Sequence, residues 1–587
     1  MRKILYISLA CVLLLTACQD TYLDLDPQDS ITEAAYYKTP EHFKSASNDL
    51  YFNLTGWRTL WGGVEYFDFG SDLNGLTQDY GRGHDEIPQS DDFWTNNYKY
   101  LRKVNMVLQK AEEYEGDASE IEEYVATAYF FRAFHHFFLM QRFGGVPIVT
   151  EVLDVNSESL TSPRNSRYEV FAQILADLDM AIGNLPTESE IAEADKGKIS
   201  KYAAMAFKAK ALLFEGTWEM NVGNSTDGDG VSAGAGSNKP SGYMSTSEMI
   251  SEANSLAKNV MDNGGYSLWN HNEELDNLSN LYLFNLEDAG SNPAGLEKAS
   301  NNEFILYQKF DYNLYQSRKI VSHVFGGRGA PSRKFMDMFL CADGKTIYDS
   351  ELFEGYETCA SEFQNRDYRM TSYFADHETW DTWTPGTLEL LLGSVGWSNR
   401  KFYTYQYGSY RAQNEESYDY PIIRLAEVYL IYAETLYLMN GSLTDAQMAE
   451  SINLIKARAG LPGITNAILA DNGMDIWEEI KRERAVELYL ENSRYFDLKR
   501  WAEAEEALSD DICGPIVEGN EYEGNPDLYN PEAYPYGTKK ITTPMGDLDA
   551  VIVDPSTVRN FQRMHYLFPI PIDQLDLNEN LLQNPGY

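Results

Sequence analysis

Residues 120–149, EIEEYVATAYFFRAFHHFFLMQRFGGVPIV, decide what kind of body this chain builds. Glu120–Phe143 reads as one long helix, and Gly144-Gly145 is its C-terminal cap. Phe130, Phe131, Phe134, Phe137 and Phe138 crowd that single helix. Aromatics at such density pack a core sooner than they line a ligand groove. After the glycines, Val146-Pro147-Ile148-Val149 reads as a short extended piece.

Working outward, the same theme repeats. In Tyr168–Leu185 the apolar Phe171, Ile174, Leu175, Leu178 and Ile182 share one helical face, and Asn184-Leu185-Pro186 stops it. Ser200–Trp218 carries Ala203, Ala204, Ala206, Ala209 and Ala211, small residues that let another helix approach closely. Further helices are expected over Leu425–Met439, Asp445–Ala459, Asp475–Leu490 and Arg494–Leu508, with turns at Asn440-Gly441 and Gly460-Leu461-Pro462-Gly463. Helical hairpins of this length are like tetratricopeptide units. Long loops separate the blocks: Gly56–Asp92, Asn221–Gly242, Asp288–Asn302, Asp376–Arg400 and Asp510–Asp554. The predicted fold is mainly α: one large body, a tetratricopeptide-like helical-hairpin scaffold with long irregular loops and a few short strands.

The chain begins with Arg2 and Lys3, then the apolar run Ile4–Thr16, too short to span a bilayer. Leu15-Thr16-Ala17-Cys18 looks like a bacterial lipobox, which makes residues 1–17 a signal peptide and Cys18 the lipidated residue. Two or three acyl chains there would anchor the protein firmly. Forty-seven basic against 90 acidic residues give a net charge of −43, which disfavours nucleic acid as a partner. Hydrophobics at 43% supply a large core, so the charge is not a sign of disorder. Cys341, Cys359 and Cys513 allow at most one disulfide, Cys341–Cys359 closing the shortest loop; three unpaired buried thiols are the alternative.

An ordered set of short motifs runs through the chain. It includes Ile31-Thr32-Glu33-Ala34-Ala35-Tyr36-Tyr37, Ala128-Tyr129-Phe130-Phe131-Arg132-Ala133, Arg142-Phe143-Gly144-Gly145-Val146-Pro147 and Pro163-Arg164-Asn165-Ser166. It continues through Arg424–Leu430, Glu483–Leu488 and Phe496–Trp501 to Pro569-Ile570-Pro571 and Gln583-Asn584-Pro585-Gly586-Tyr587. Following a lipobox, this set resembles the SusD/RagB nutrient-binding lipoproteins, poorly only between about 221 and 420. The resemblance implies a scaffold facing a SusC-like TonB-dependent transporter of the outer membrane, an oligosaccharide or similar nutrient held between the two, and exposure on the cell exterior. It divides the chain into an N-terminal region, 18–220, a variable ligand-side region, 221–420, and a C-terminal region, 421–587.

Glu483, Arg484, Glu487, Asp497, Lys499 and Arg500 alternate in sign at helical spacing, and we read them as paired charges that fix two helices. Binding chemistry is sought in the loops instead. Sugars present apolar C–H faces to exposed rings and hydroxyl edges to Asp, Asn, Gln and Arg. Three stretches fit. The first holds Trp57, Trp61, Tyr66, Asp72, Asn74, Tyr80 and Arg82; the second holds Trp380, Trp383 and Trp397; the third holds Tyr312 and Tyr315. His135-His136 is the one adjacent histidine pair, and Asp227-Gly228-Asp229-Gly230 lacks the acid that a calcium loop would place at Gly236, so no metal or cofactor is assigned. No nucleophile elbow, phosphate loop or dinucleotide fingerprint occurs, and no catalytic residue is assigned. Two rival readings stand beside the binding protein: a structural lid without ligand selectivity, and a surface glycoside hydrolase.

Overall fold

A computed structural model describes residues 36–56, 67–75, 78–84, 86–223, 238–316, 330–375, 397–406, 410–412 and 415–587. Cys18 and the Asp227–Gly230 loop lie outside them.

Five helices of the first half pack in chain order: α1 (Pro40–Leu50), α2 (Asp92–Glu112), α3 (Glu122–Phe143), α4 (Arg167–Asn184) and α5 (Lys201–Asn221). Side chains fix their starts. Asp91 accepts the Trp94 amide, Ser200 accepts the Ala203 amide, and Ser166 with Glu169 forms a reciprocal capping box. Within α3, Phe130, Phe131, Phe134 and Phe137 are buried and Phe138 is half-buried, as a core helix requires. Against the alanine face of α5 lies α6 (Thr246–Asn263), an 18-residue helix inside the stretch expected to be loop-rich. Its apolar face of Met249, Ile250, Ala253, Ala257 and Val260 extends the stack to α7 (Leu425–Asn440). Each helix thus buries a face on its sequence neighbours, the packing logic of a helical repeat array.

Two expected helices are broken. Asp445–Ala459 divides into α8 (Asp445–Ala449) and α9 (Ile452–Arg458), because Ser451 turns its hydroxyl back to the Gln447 carbonyl (2.6 Å) and leaves helical geometry (φ −135°, ψ −102°). Arg494–Leu508 divides into α11 (Arg494–Arg500) and a short turn, Ala504–Ala507, with Ala502 at φ +59° between them. Before it, α10 spans Ile476–Glu487. The expected loop 510–554 holds a three-stranded sheet, in which β7 (Gly546–Asp554) lies between β5 (Ile512–Ile516) and β6 (Thr538–Thr543). A second antiparallel pair, β1 (Phe304–Gln308) with β4 (Tyr420–Arg424), joins two cores: Ile305, Leu306 and Ile423 face the helical core, Phe304 and Tyr420 the smaller one. A two-residue pair, β2 (Phe374–Ala375) and β3 (Ser398–Asn399), belongs to the smaller body. Cys341, Cys359 and Cys513 form no disulfide among the described residues, the first two are buried, and burial pushes Cys513 up to about 11.

The motifs are structural. Gly144 ends α3 at φ +78°, and a side chain on Gly145 would meet the Asn165 carbonyl at 2.3 Å. Arg164 then donates to the carbonyls of Phe143, Gly145 and Leu582 and to the Asn584 side chain, while Asn584 donates to Phe143 and Phe568. Motifs more than 400 residues apart therefore meet at one knot. Most of the alternating charges are buried and paired: Arg484 and Arg500 on Asp497 and Glu434, Glu483 on Arg369, and Arg369, Arg424 and Arg458 around Glu487. Lys499 departs from the expectation and lies against the rings of Tyr495 (4.1 Å) and Phe568 (4.8 Å). Burial alone would raise Glu487, but the three guanidiniums hold it far below the usual carboxylate range.

Candidate functional site

Among the described residues, an aromatic platform with polar edges lies on the surface. It starts where β1 ends. Asp311 and Tyr315 exchange backbone hydrogen bonds at 2.9 Å, and the Asp311 carboxylate accepts the Asn313 and Leu314 amides (2.8 and 2.9 Å). This tight turn pushes Tyr312 and Leu314 outward, to 38% and 86% exposure. Behind them Tyr315 stacks on the buried Phe310 (5.2 Å) and meets the edge of Phe52, itself 56% exposed (5.2 Å).

Arg411 crosses from another part of the chain. Its guanidinium lies over the rings of both Tyr312 (4.2 Å) and Tyr410 (4.1 Å). Its nitrogens are taken by Asp288 (2.8 Å), Glu287 (3.2 Å) and the Tyr410 hydroxyl (2.8 Å). The Tyr410 hydroxyl in turn donates to Asp288 at 2.5 Å. Burial raises Glu287, which also accepts from the Ser417 amide and hydroxyl. Asp288 is half in solvent: its slight burial opposes ionisation, but the Tyr410 hydroxyl, the Gly290 amide and Arg411 hold it below its ordinary value. The result is a ring braced by a cation, an exposed aliphatic side chain and an ionised carboxylate at the edge. Such a set can stack on an apolar face and accept a hydroxyl.

Of the residues expected to bind, Tyr312 and Tyr315 belong to this platform. Asp72, Asn74, Tyr80 and Trp397 do not reach a surface ligand, since all four are buried. Asp72 is held by Arg494 (2.9 Å) and Lys334 (2.6 Å), and Asn74 bridges to Pro331. Tyr80 packs on Phe67 and Tyr495, and Trp397 lies under Arg333 (5.2 Å). Polar residues in a Gly-rich stretch suggested solvent; the long-range ion pair and ring packing put them inside. Arg82 is half-buried and bound to Asp554 at 2.9 Å. Trp57, Trp61, Tyr66, Trp380 and Trp383 lie outside the described residues.

The described flanks of those stretches are nonetheless neighbours. Phe52 touches Tyr315, the Gly75 amide donates to Ala330, and the Ser332 amide and hydroxyl donate to Leu73 and Asp72. Phe335 meets Phe374 at 5.7 Å and Arg333 covers Trp397. Sequence reading missed Phe52, Asp288, Leu314, Tyr410 and Arg411. The aromatic spacing of Tyr403, Tyr405, Tyr407 and Tyr410 was the available signal.

A separate open cleft of about 380 Å³ is lined by Lys334, Asp337, Tyr348, Lys481, Arg482 and Arg494 among others. Its charges are spent on ion pairs: Lys334 and Arg494 on Asp72, Lys481 on Glu478 and Glu503, Arg482 on Glu479, and Asp337 on Arg333. Among the described residues no helix is long and apolar enough to cross a membrane.

Comparison with known proteins gives two family matches: "SusD family" over residues 300–587, and "Starch-binding associating with outer membrane" over 71–213. A SusD-like protein of Bacteroides ovatus is 24% identical over 524 residues, covering 85% of this chain and 83% of its own. SusD-like protein P2 of Formosa agariphila is 23% identical over 620 residues, with both chains fully covered. Among solved structures, a SusD-like carbohydrate-binding protein from Bacteroides fragilis aligns with TM-score 0.68 at 21% identity, covering 93% of this chain and 99% of that one. A laminarin-binding SusD-like protein aligns at TM-score 0.55 and 20% identity, covering 94% and 100%.

Proposed function

The chain belongs to the SusD/RagB family, and from that premise we propose that it is a lipid-anchored protein on the outside of the outer membrane, which captures an oligosaccharide or polysaccharide and delivers it to a SusC-like TonB-dependent transporter. It performs no catalysis; the ligand leaves as it arrived. The anchor is Cys18, and the outer-membrane association rests on the family. The observation that carries the glycan reading is the platform of Tyr312, Leu314, Tyr410 and Arg411 with Asp288 at its edge. The carbohydrate-binding and laminarin-binding relatives of the same fold support it.

Magnitudes fit capture and release. Covering one ring removes roughly 50–100 Å² of apolar surface from water, about 1–3 kcal/mol. Two such contacts and a few hydrogen bonds, less the cost of ordering a sugar, correspond to a Kd of about 10 μM to 1 mM. Tethering beside a transporter offsets that weakness through effective concentration.

The test is affinity electrophoresis of the lipid-free chain, Gln19 to Tyr587, in native gels containing plant, host and microbial polysaccharides. Retardation by one polysaccharide, lost in Tyr312→Ala and Arg411→Ala, supports direct capture. Retardation by none of them sinks the reading and leaves the lid without ligand selectivity.

A further inference from the structure

The platform sorts glycans by charge: we infer that it takes neutral glycans and turns away polyanionic ones, with Asp288 as the residue that sets this preference. The inference rests on the glycan reading above and adds the substrate class.

An acidic polysaccharide, bearing carboxylates or sulfates, needs a cation with donors to spare. Arg411 is the cation that touches the exposed ring, and its donors go to Glu287, Asp288 and the Tyr410 hydroxyl, with its faces against Tyr312 and Tyr410. Lys298 is spent likewise, on the carbonyls of Phe310 and Ser417 and on Asp419. The carboxylates outnumber these cations. Glu287, Asp288, Asp311 and Asp419 face two positive side chains among the described residues of the platform, and Asp288 stands half in solvent. A polyanion arriving here meets like charge at the edge of the ring, inside a chain of net charge −43. What remains open is apolar surface: Tyr312, Leu314 and Phe52. A neutral sugar can lay its C–H face there and give a hydroxyl hydrogen to Asp288, which is ionised and can only accept.

Matched pairs test this. The lipid-free chain is run in native gels containing laminarin, galactomannan, arabinoxylan or pullulan, and in parallel gels containing the sulfated derivative of each, at low and at physiological salt. The expected result is retardation by at least one neutral polymer, with at least tenfold weaker retardation by its sulfated derivative at low salt and a smaller gap at higher salt. Asp288→Asn, which releases Arg411 from its nearest carboxylate, is expected to narrow that gap while circular dichroism and melting temperature confirm the fold. Equal or stronger retardation by a sulfated polymer overturns the charge preference and leaves the glycan reading standing. A gap unchanged in Asp288→Asn removes Asp288 as its origin. No retardation by any polymer, neutral or sulfated, overturns both readings together.

Discussion

Two regions of this protein use the same chemistry to opposite ends. Around Glu487, three guanidiniums and their carboxylates are sealed in the interior: Arg369, Arg424, Arg458, Glu303 and Glu487 are all essentially without exposure. At the platform, Arg411 pairs with Glu287 and Asp288, but Asp288 and Tyr312 open to water. In the first region the guanidiniums and carboxylates are spent on one another, the Arg458 Nε aside, so the network fixes how α9 and α10 meet the end of β4 and the start of β1. In the second, the ion pair braces a ring whose exposed part remains for a ligand. An arginine–carboxylate pair is thus no sign of function by itself; what lies beside it and whether water reaches it decide.

The comparison breaks most easily at its buried end. Glu487→Ala leaves Arg369, Arg424 and Arg458 short of a shared partner, and removing one member of a buried ion pair costs about 3–5 kcal/mol. Urea denaturation is expected to show that loss, or the variant fails to accumulate. A midpoint within about 1 kcal/mol of the parent would mean that the network is not what holds the two halves together.

Acid sharpens the same point. Glu487 and Asp497 lie below their unfolded values, Asp497 at about 2, because burial is overcome by guanidiniums: Arg458, Arg424 and Arg369 on one, Arg484 and Arg500 on the other. A carboxylate depressed by folding adds stability above its unfolded pKa, about 4, and loses it as pH falls toward the folded value. Melting temperature is therefore expected to drop steeply between about pH 4 and pH 2. A flat profile there would remove the network's contribution.

Asp68 is the counterexample inside the same core. It is buried beside Asp497 and meets the amides of Asn492, Ser493 and Tyr495 instead of a guanidinium, and burial pushes it up to about 7. A raised carboxyl costs the fold stability where it must ionise, and that cost is complete above pH 7 and absent below about pH 4. Asp68→Asn is expected to stabilise the protein at pH 8 by on the order of 1–3 kcal/mol and to change nothing at pH 3.5. Calorimetry at the two pH values decides it.

The smallest effects belong to the platform. Tyr312→Ala is expected to leave stability within about 0.5 kcal/mol and weaken glycan binding about tenfold, near 1.4 kcal/mol. Leu314→Ser, at an 86% exposed position, should cost about twofold in binding and nothing in stability. Stability losses above 2 kcal/mol in either variant would move the platform into the scaffold.

The helical scaffold was legible in the sequence. The Phe-rich α3, the alanine face of α5 and the glycine and proline stops act through neighbours three or four residues away. The pairing of Glu483, Arg484, Glu487, Asp497 and Arg500 was legible for the same reason. The breaks at Ser451 and Ala502 were not, because a single side chain or backbone angle made them. Nor was α6, which closes the gap between α5 and α7 from inside a stretch dominated by loops.

The binding residues divide along that line. Composition identified aromatic and polar stretches but could not say which side of the surface each side chain takes. Trp397 and Tyr312 look alike as loop aromatics, yet Trp397 is sealed beneath Arg333 and Tyr312 is lifted outward by a turn that Asp311 closes. Asp72 read as a hydroxyl ligand, and Arg494, more than 400 residues away, took it into the core. The sequence alone determined the helices, the acidic surface and the family's motifs, because each depends on local pattern or simple count. The tertiary structure alone decided which rings meet water and which cations remain to be shared, because exposure is set by whatever distant residue happens to arrive.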